Sequence, residues 1–395
     1  SKGIRWMMKL ECANRETAMI VQILIGFQDV GAVANRARHE VEALLQAGNN
    51  VTVISDAHST DPLALRFPDR FGLVNIWPRA LRGLRYRLPG EPLYAKLASR
   101  ALSRLVAQHN VGLVVCHKAS LLRAACRVTA AHGIPATFVI HGLAQEQSTM
   151  GVYRDDALTL RFYRAAERCV FRQPVRCVPV SRYLERLLLA QDVTPNRITV
   201  VHNPIDTGRF VPAPTEEKKI DILYVGRLSI EKGLRTLLDA LRLQTRPLEV
   251  VIAGDGPLRK RLQAECGSRV RFARWVANDR LPQLIRQARV VVVPSLFEPQ
   301  GVVVLEAMAC GVPVVATQCG GPDGIITEGE DGFLVPLDCP DAMAERLAVL
   351  CTDRDMNARM GRQARKTIEA LYADDLAGQA FVDVWDRLLQ KARQH

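Results

Sequence analysis

The stretch Val290–Thr317, VVVVPSLFEPQGVVVLEAMACGVPVVAT, restricts more than any other what this chain can become. It predicts a buried strand over 290–293, a loop, a helix from about Val302 to Cys310, and a second strand from Pro313. Gly301 falls where the loop must turn into the helix and Gly311 where the helix must stop, the positions where a positive φ is most useful. A helix that starts beside the carboxyl end of a strand points its unbonded N–H groups and positive dipole into the crevice, where an anion can sit. That is half of a nucleotide site. The other half is a pair of carboxylates, Glu298 in the loop and Glu306 inside the helix, with seven residues between them.

A glutamate inside an otherwise apolar helix costs desolvation unless something donates hydrogen bonds to it, and sugar or ribose hydroxyls would do so. Taken singly, Glu306 reads equally well as a solvated helix residue and Glu298 as an ordinary loop carboxylate. Taken with Pro299, Gly301, Gly311 and Pro313, the run resembles the signature of the retaining glycosyltransferases of family 4, which have the GT-B architecture. The resemblance implies that Glu298 contacts the donor sugar and that Glu306 holds the ribose of a sugar nucleotide. The helix start at Gly301, Val302 and Val303 would then face the donor's phosphates.

At 395 residues the chain is too long for one ordinary core, so two domains of just under 200 residues are expected. The expected fold class is α/β, with two Rossmann-like doubly wound domains facing each other across a cleft. Residues 1–205 would form an acceptor-binding domain and 206–375 a sugar-nucleotide-binding domain. A helix at about 376–395 would cross back to the first. No apolar run approaches the length of a membrane span. Residues 1–19 mix Lys2, Arg5, Lys9, Glu11, Arg15 and Glu16 without an apolar segment, so no leader is expected. Ten scattered cysteines without a Cys-x-x-Cys pair argue against a zinc site or a disulfide framework and favour a cytoplasmic setting.

The net charge of +12 is unevenly placed. Residues 1–205 hold 27 Lys+Arg against 15 Asp+Glu, whereas residues 206–395 hold 26 of each. The excess is densest over Arg66–Arg104, where Arg79, Arg82, Arg85, Arg87, Lys96 and Arg100 interleave with Trp77, Leu81, Leu84, Leu88 and Leu97. A solvated surface accounts for such a run, and so does a patch resting on anionic lipid headgroups. Nucleic acid is the weaker possibility, because no recognition motif accompanies the charge.

Along the chain, a strand over Met19–Gly26, a loop containing Gly31 and a helix over Val33–Ala47 open the first domain. Strands follow at 51–55, 113–116 and 136–140. His141 sits at the carboxyl end of the last of these, with His117 at the end of its neighbour. A lone histidine is more often structural than chemical, but the resemblance implies a donor-sugar contact at His141 and a backbone contact near Gly31. Residues Gly151–Arg176 read as basic helical surface, and Ile198–Asp206 as the crossing between domains. The second domain opens with a strand at 220–225 and the turn Gly226-Arg227-Leu228-Ser229-Ile230-Glu231-Lys232-Gly233. Cations near a helix start usually face solvent; the resemblance makes Arg227 and Lys232 the ligands of the donor's diphosphate. Further strands at 248–253 and 270–276 bring Gly256 to the same crevice and lead into the segment where the family binds the base. The only Asp-x-Asp, Asp353-Arg354-Asp355, lies in a polar segment and reads as surface, so no metal is expected.

The resemblance implies a hexosyltransferase using a UDP- or GDP-sugar, with Glu298, His141, Arg227 and Lys232 at the reacting centre and no cofactor. A lipid-linked or envelope glycan acceptor at the membrane face is the reading that the basic first half favours. A transferase for a small metabolite or natural product, a sugar-nucleotide epimerase of the same fold, and a non-catalytic nucleotide-binding module are the alternatives.

Overall fold

The structure, a computed structural model, describes residues 18–25, 32–56, 61–77, 90–144, 146, 157–213, 218–267 and 270–393. Twelve strands among them form two parallel sheets. The first contains β1 (Met19–Ile23), β2 (Asn50–Ser55), β3 (Phe71–Asn75), β4 (Val111–Cys116), β5 (Ala136–Ile140) and β6 (Arg176–Pro179), in the order β3-β2-β1-β4-β5-β6. The second contains β7 (Ile220–Val225), β8 (Val250–Ala253), β9 (Val270–Ala273), β10 (Ala288–Val293), β11 (Val314–Thr317) and β12 (Gly332–Val335), in the order β12-β11-β10-β7-β8-β9. Counted from its own first strand, the second sheet repeats the order of the first. This is the two-domain, Rossmann-like GT-B arrangement that the sequence implies.

The strands are continuous apolar runs because helices cover both faces of a parallel sheet. β1 and β2 are buried at every residue. Each sheet therefore has two apolar layers. In the second, Leu223, Val251, Val291 and Val293 pack to one side against the helix Val302–Ala309, while Ile222, Tyr224, Val290 and Val292 pack to the other.

Several boundaries differ from expectation. The first strand stops at Ile23 rather than Gly26: Leu24 and Ile25 stay buried, but the Leu24 carbonyl accepts the Tyr94 hydroxyl at 2.9 Å. β9 ends at Ala273 rather than Val276; the Ala273 carbonyl accepts both the Gly254 N–H at 3.4 Å and the Arg259 guanidinium at 3.0 Å. Between Arg66 and Arg104, β3 and the helix Gly90–Gln108 stand where only a basic stretch was apparent. There Trp77 is buried and packs on Tyr94 with ring centroids 5.3 Å apart, so it is a core residue and not part of a surface patch. Lys96, Arg100 and Arg104 are exposed. Arg79, Leu81, Arg82, Leu84, Arg85, Arg87 and Leu88 lie outside the described residues.

The terminal helix, Asp374–Arg393, packs against the first helix, Ala32–Gln46, and β4. Phe381, Val384, Trp385 and Leu389 fill the first half's core. Its anchor is polar: the Trp385 indole donates to Glu40 Oε1 at 2.9 Å, and Gln22 Nε2 donates to the same oxygen at 2.9 Å. Asp353 caps the helix Arg354–Leu371, accepting the Met356 N–H at 2.8 Å. No helix among the described residues is long and apolar enough to cross a membrane.

Candidate active site

In doubly wound sheets ligands bind beyond the carboxyl ends of the strands, where the strand order reverses. Here those points lie between β1 and β4 and between β7 and β10. β7 runs into Gly226 and Arg227, β10 into Pro294–Gly301, β4 into His117, and β5, next to it, into His141.

The loop after β10 is held from two sides. Gly301 caps the helix Val302–Ala309 with φ 92°, so the turn expected of it is made. Gly233, φ 60°, lies so close to that loop that a Cβ would stand 1.9 Å from the Pro294 carbonyl oxygen, which only glycine permits. From the other side the loop pairs with 319–321: Glu298 N donates to Cys319 O at 3.4 Å, and Gly321 N donates to Glu298 O at 2.7 Å. The Glu298 backbone is thereby fixed before its side chain does anything.

That side chain is committed as well. Lys232 Nζ donates to Glu298 Oε1 at 2.5 Å, and the Ser295 hydroxyl donates to the same oxygen at 3.0 Å. Burial works against the Lys232 ammonium, but the Glu298 carboxylate and, behind it, Glu231 more than offset this and hold it above the ordinary lysine value. The structure brings Lys232 and Glu298 together, but as partners of each other, a pairing that the sequence did not suggest. Arg227 is exposed and enters no ion pair among the described residues. Gly226 and Gly256 belong to two loops in close contact: Leu228 N donates to Asp255 O at 2.9 Å, and Leu258 N to Leu228 O at 3.0 Å.

Glu306 stands apart from this group. It is buried at 9% exposure, its carboxyl accepts no hydrogen bond among the described residues, and burial pushes that carboxyl up to about 7, with Arg209 partly opposing. It faces a cavity between the two halves. Asn35, Arg36 and His39 of the first helix line that cavity, as do Asn203, Pro204, Ile205, Asp206, Arg209 and Phe210 of the crossing, with Asn278 and Val302. Val302 is the first residue of the helix that carries Glu306. The cavity therefore joins a carboxyl with unused acceptors to a helix N-terminus and two guanidinium groups. Val303 is half-buried beside Val302.

His141 stays within its own half, where its Nε2 lies 3.1 Å from His117 Nδ1 and the rings stack at 5.4 Å and 26°. The loop that follows is tied down by Glu167, which accepts the Ala144 N–H at 2.9 Å. Gly31 lies outside the described residues. Among the described residues no group of three His, Cys, Asp or Glu could hold a metal ion.

Three contributors were missed. Arg36 is 1% exposed; its Nη1 donates to Val201 O at 2.7 Å and to Asn203 Oδ1 at 3.3 Å, and burial lowers it to about 10. Gln300 is 2% exposed and accepts the Asn203 N–H at 2.9 Å; the Ser181 hydroxyl donates to Pro299 O at 2.5 Å. These four bonds fasten the first half and the crossing to one another and to the signature loop. Arg36 carried a signal: together with Glu40 it falls on the stripe of Ala37, Val41 and Leu44, where two charges one turn apart have no reason to lie unless paired.

Comparison with known proteins agrees with this fold. A model described as Glycosyltransferase Family 4 matches residues 33–209, and one described as Glycosyl transferases group 1 matches residues 209–367. An uncharacterised glycosyltransferase of Methanocaldococcus jannaschii is 30% identical over 256 residues, a match that spans 60% of this chain and 65%, just under two thirds, of that one. Among solved structures, sucrose-phosphate synthase from Thermosynechococcus elongatus superposes with a TM-score of 0.80 at 20% identity, covering 95% of this chain and 100% of that one. HepE of Anabaena, solved in complex with UDP-glucose, gives 0.73 at 18% identity, covering 93% and 99%.

Proposed function

The chain belongs to the family 4-like glycosyltransferases, and from that premise we propose that it moves a hexose, with retention, from a UDP- or GDP-sugar to a lipid-linked or envelope glycan. The observation that carries this reading is one of position. Arg227, the Lys232–Glu298 pair and the start of the helix bearing Glu306 all stand at the carboxyl ends of β7 and β10. A nucleoside diphosphate fits the chemistry of that crevice. Its ribose hydroxyls would donate to Glu306, and its phosphates would meet Arg227, Lys232 and the amides at Val302 and Val303.

Sugar transfer needs a stabilised leaving group, an oriented ring and an acceptor oxygen held in a dry cleft. In this proposal the two cations and the helix start serve the leaving diphosphate, and no divalent metal is required because its charge is already met. Glu298 and His141 hold the ring from opposite halves. Attack from the leaving-group face lets the departing phosphate oxygen take the acceptor's proton, so no carboxylate nucleophile is assigned. The basic first half is the support for an acceptor at an anionic membrane surface, with the protein on its cytoplasmic side.

Thermal stabilisation by UDP, GDP and ADP and their sugars tests the donor, since a ligand at a hundred times its dissociation constant adds about 2.7 kcal/mol. Stabilisation by none of them would remove the proposal. Incubation with the stabilising sugar nucleotide alone separates transfer from interconversion of donors. Activity is expected to persist under EDTA, and sedimentation with anionic but not neutral vesicles is expected of the membrane reading.

A further inference from the structure

The contact between His117 and His141 is narrow enough to assign a proton. His117 is 4% exposed, its backbone N–H donates to Ile23 O at 3.3 Å, and its Nδ1 lies 3.1 Å from His141 Nε2. Its other ring nitrogen, Nε2, is buried with no partner among the described residues. Burial and the Arg36 charge drive His117 down to about 3; burial, His117 and Arg36 drive His141 well below its ordinary value. Both rings are therefore neutral at pH 7, and the Nδ1···Nε2 contact holds a single hydrogen.

Two arrangements satisfy that contact. In one, His141 Nε2–H donates to His117 Nδ1, and His117 must then carry its own hydrogen on Nε2, a donor buried with nothing to receive it. In the other, His117 Nδ1–H donates to His141 Nε2, and the buried His117 Nε2 is a bare lone pair. Orphaned buried donors are the rarer and costlier defect. The second arrangement leaves His141 with its hydrogen on Nδ1, the ring nitrogen that has no partner among the described residues. His141 directly follows the carboxyl end of β5, the side of such a sheet on which ligands bind.

We propose that His117 is a positioning residue: by donating Nδ1–H to His141 Nε2 it fixes His141 as the Nδ1–H tautomer, so that His141 offers the cleft a hydrogen-bond donor. Its partner would be an oxygen of the sugar or phosphate, an acceptor in either case. The chemical significance of this assignment rests on the transferase reading; the tautomer itself does not.

The test is heteronuclear NMR of protein labelled with 15N-histidine, with His141→Gln identifying the resonance among the eight histidines. The expected wild-type spectrum shows His141 Nδ1 protonated and Nε2 bare. In His117→Phe the two tautomers of His141 should mix, and in His117→Asn, whose amide N–H takes the place of Nδ1–H, the wild-type pattern should return. Protonation of His141 at Nε2 in the wild type would overturn the proposal even if no variant folds, as would a tautomer unchanged in a folded His117→Phe. With a donor in hand, His117→Phe should lower kcat about tenfold, the factor one such hydrogen bond carries, with KM little changed and recovery in His117→Asn. A chain that binds no nucleotide yet shows the Nδ1–H tautomer would sink the transferase reading and leave this assignment standing.

Discussion

Lys232 Nζ and Glu298 Oε1 stand 2.5 Å apart, so the cation proposed for the diphosphate and the acid proposed for the sugar neutralise one another. A donor entering the crevice competes with Glu298 for Lys232. Removing the carboxylate charge in Glu298→Gln should consequently tighten binding of the free nucleoside diphosphate, by about threefold to tenfold for a half-buried pair, while lowering transfer by about a hundredfold. Calorimetric titration with the diphosphate checks the first effect and steady-state turnover the second. Weaker diphosphate binding in the variant would contradict the competition.

Glu306 supplies a pH signature. Burial raises its carboxyl to about 7, so it is neutral below that pH and ionised above it. If the ionised form accepts the ribose hydroxyls, wild-type nucleotide affinity should fall about tenfold from pH 8 to pH 6. In Glu306→Gln the part of the slope due to this group should vanish, leaving that of the ligand's own phosphate. Titrations at three pH values on both proteins decide the point; parallel slopes would rule the role out.

The polar anchor under the terminal helix should be visible in stability. Glu40 accepts from Gln22 and Trp385 through one oxygen, while burial, opposed by Arg36 and the Trp385 hydrogen bond, raises its carboxyl to about 7. A folded value raised above the unfolded one means that the group's contribution is full below about 4.5 and is lost as pH rises through about 7. Glu40→Gln keeps the accepting oxygen without the titration, so its Tm should gain on the wild type between pH 4.5 and pH 8. Glu40→Ala, which strands both donors, should lose about 2–4 kcal/mol. Calorimetric melts across that range test both.

Gly233→Ala should destabilise the second half by at least about 2 kcal/mol, because the new Cβ meets the Pro294 carbonyl and the backbone there is left-handed. The loop holding Ser295 and Glu298 must shift to make room. A variant with unchanged Tm and unchanged nucleotide affinity would show that the loop yields freely.

What could be read from sequence was what local physics determines. The continuous apolar strands, Gly301 at a left-handed helix start and the amphipathic terminal helix each follow from a few neighbouring residues. The repeat of one strand order in both sheets follows from the alternation of strand and helix. β3 escaped notice because FGLVN is short and only two of its five residues are fully buried. Trp77 was misjudged because its partner Tyr94 is distant in sequence. The partners of Arg36, Gln300 and Asn203 were invisible for the same reason: each acts across the join between the halves, over separations such as the 97 residues from Asn203 to Gln300. His141 and His117 could be placed at the ends of neighbouring strands, but the contact between their rings could not be read until β4 and β5 were seen in register.

The terminal helix has a bearing on how this protein is made. Trp385 and Phe381 roof a sheet whose last strand ends two hundred residues earlier. During synthesis the first sheet therefore waits, one apolar face covered only in part, by the first helix and its neighbours, while the second half emerges. Only when the ribosome has delivered the helix Asp374–Arg393 can that layer of the earliest part of the chain be completed. Assembly of the first half thus runs out of step with its translation.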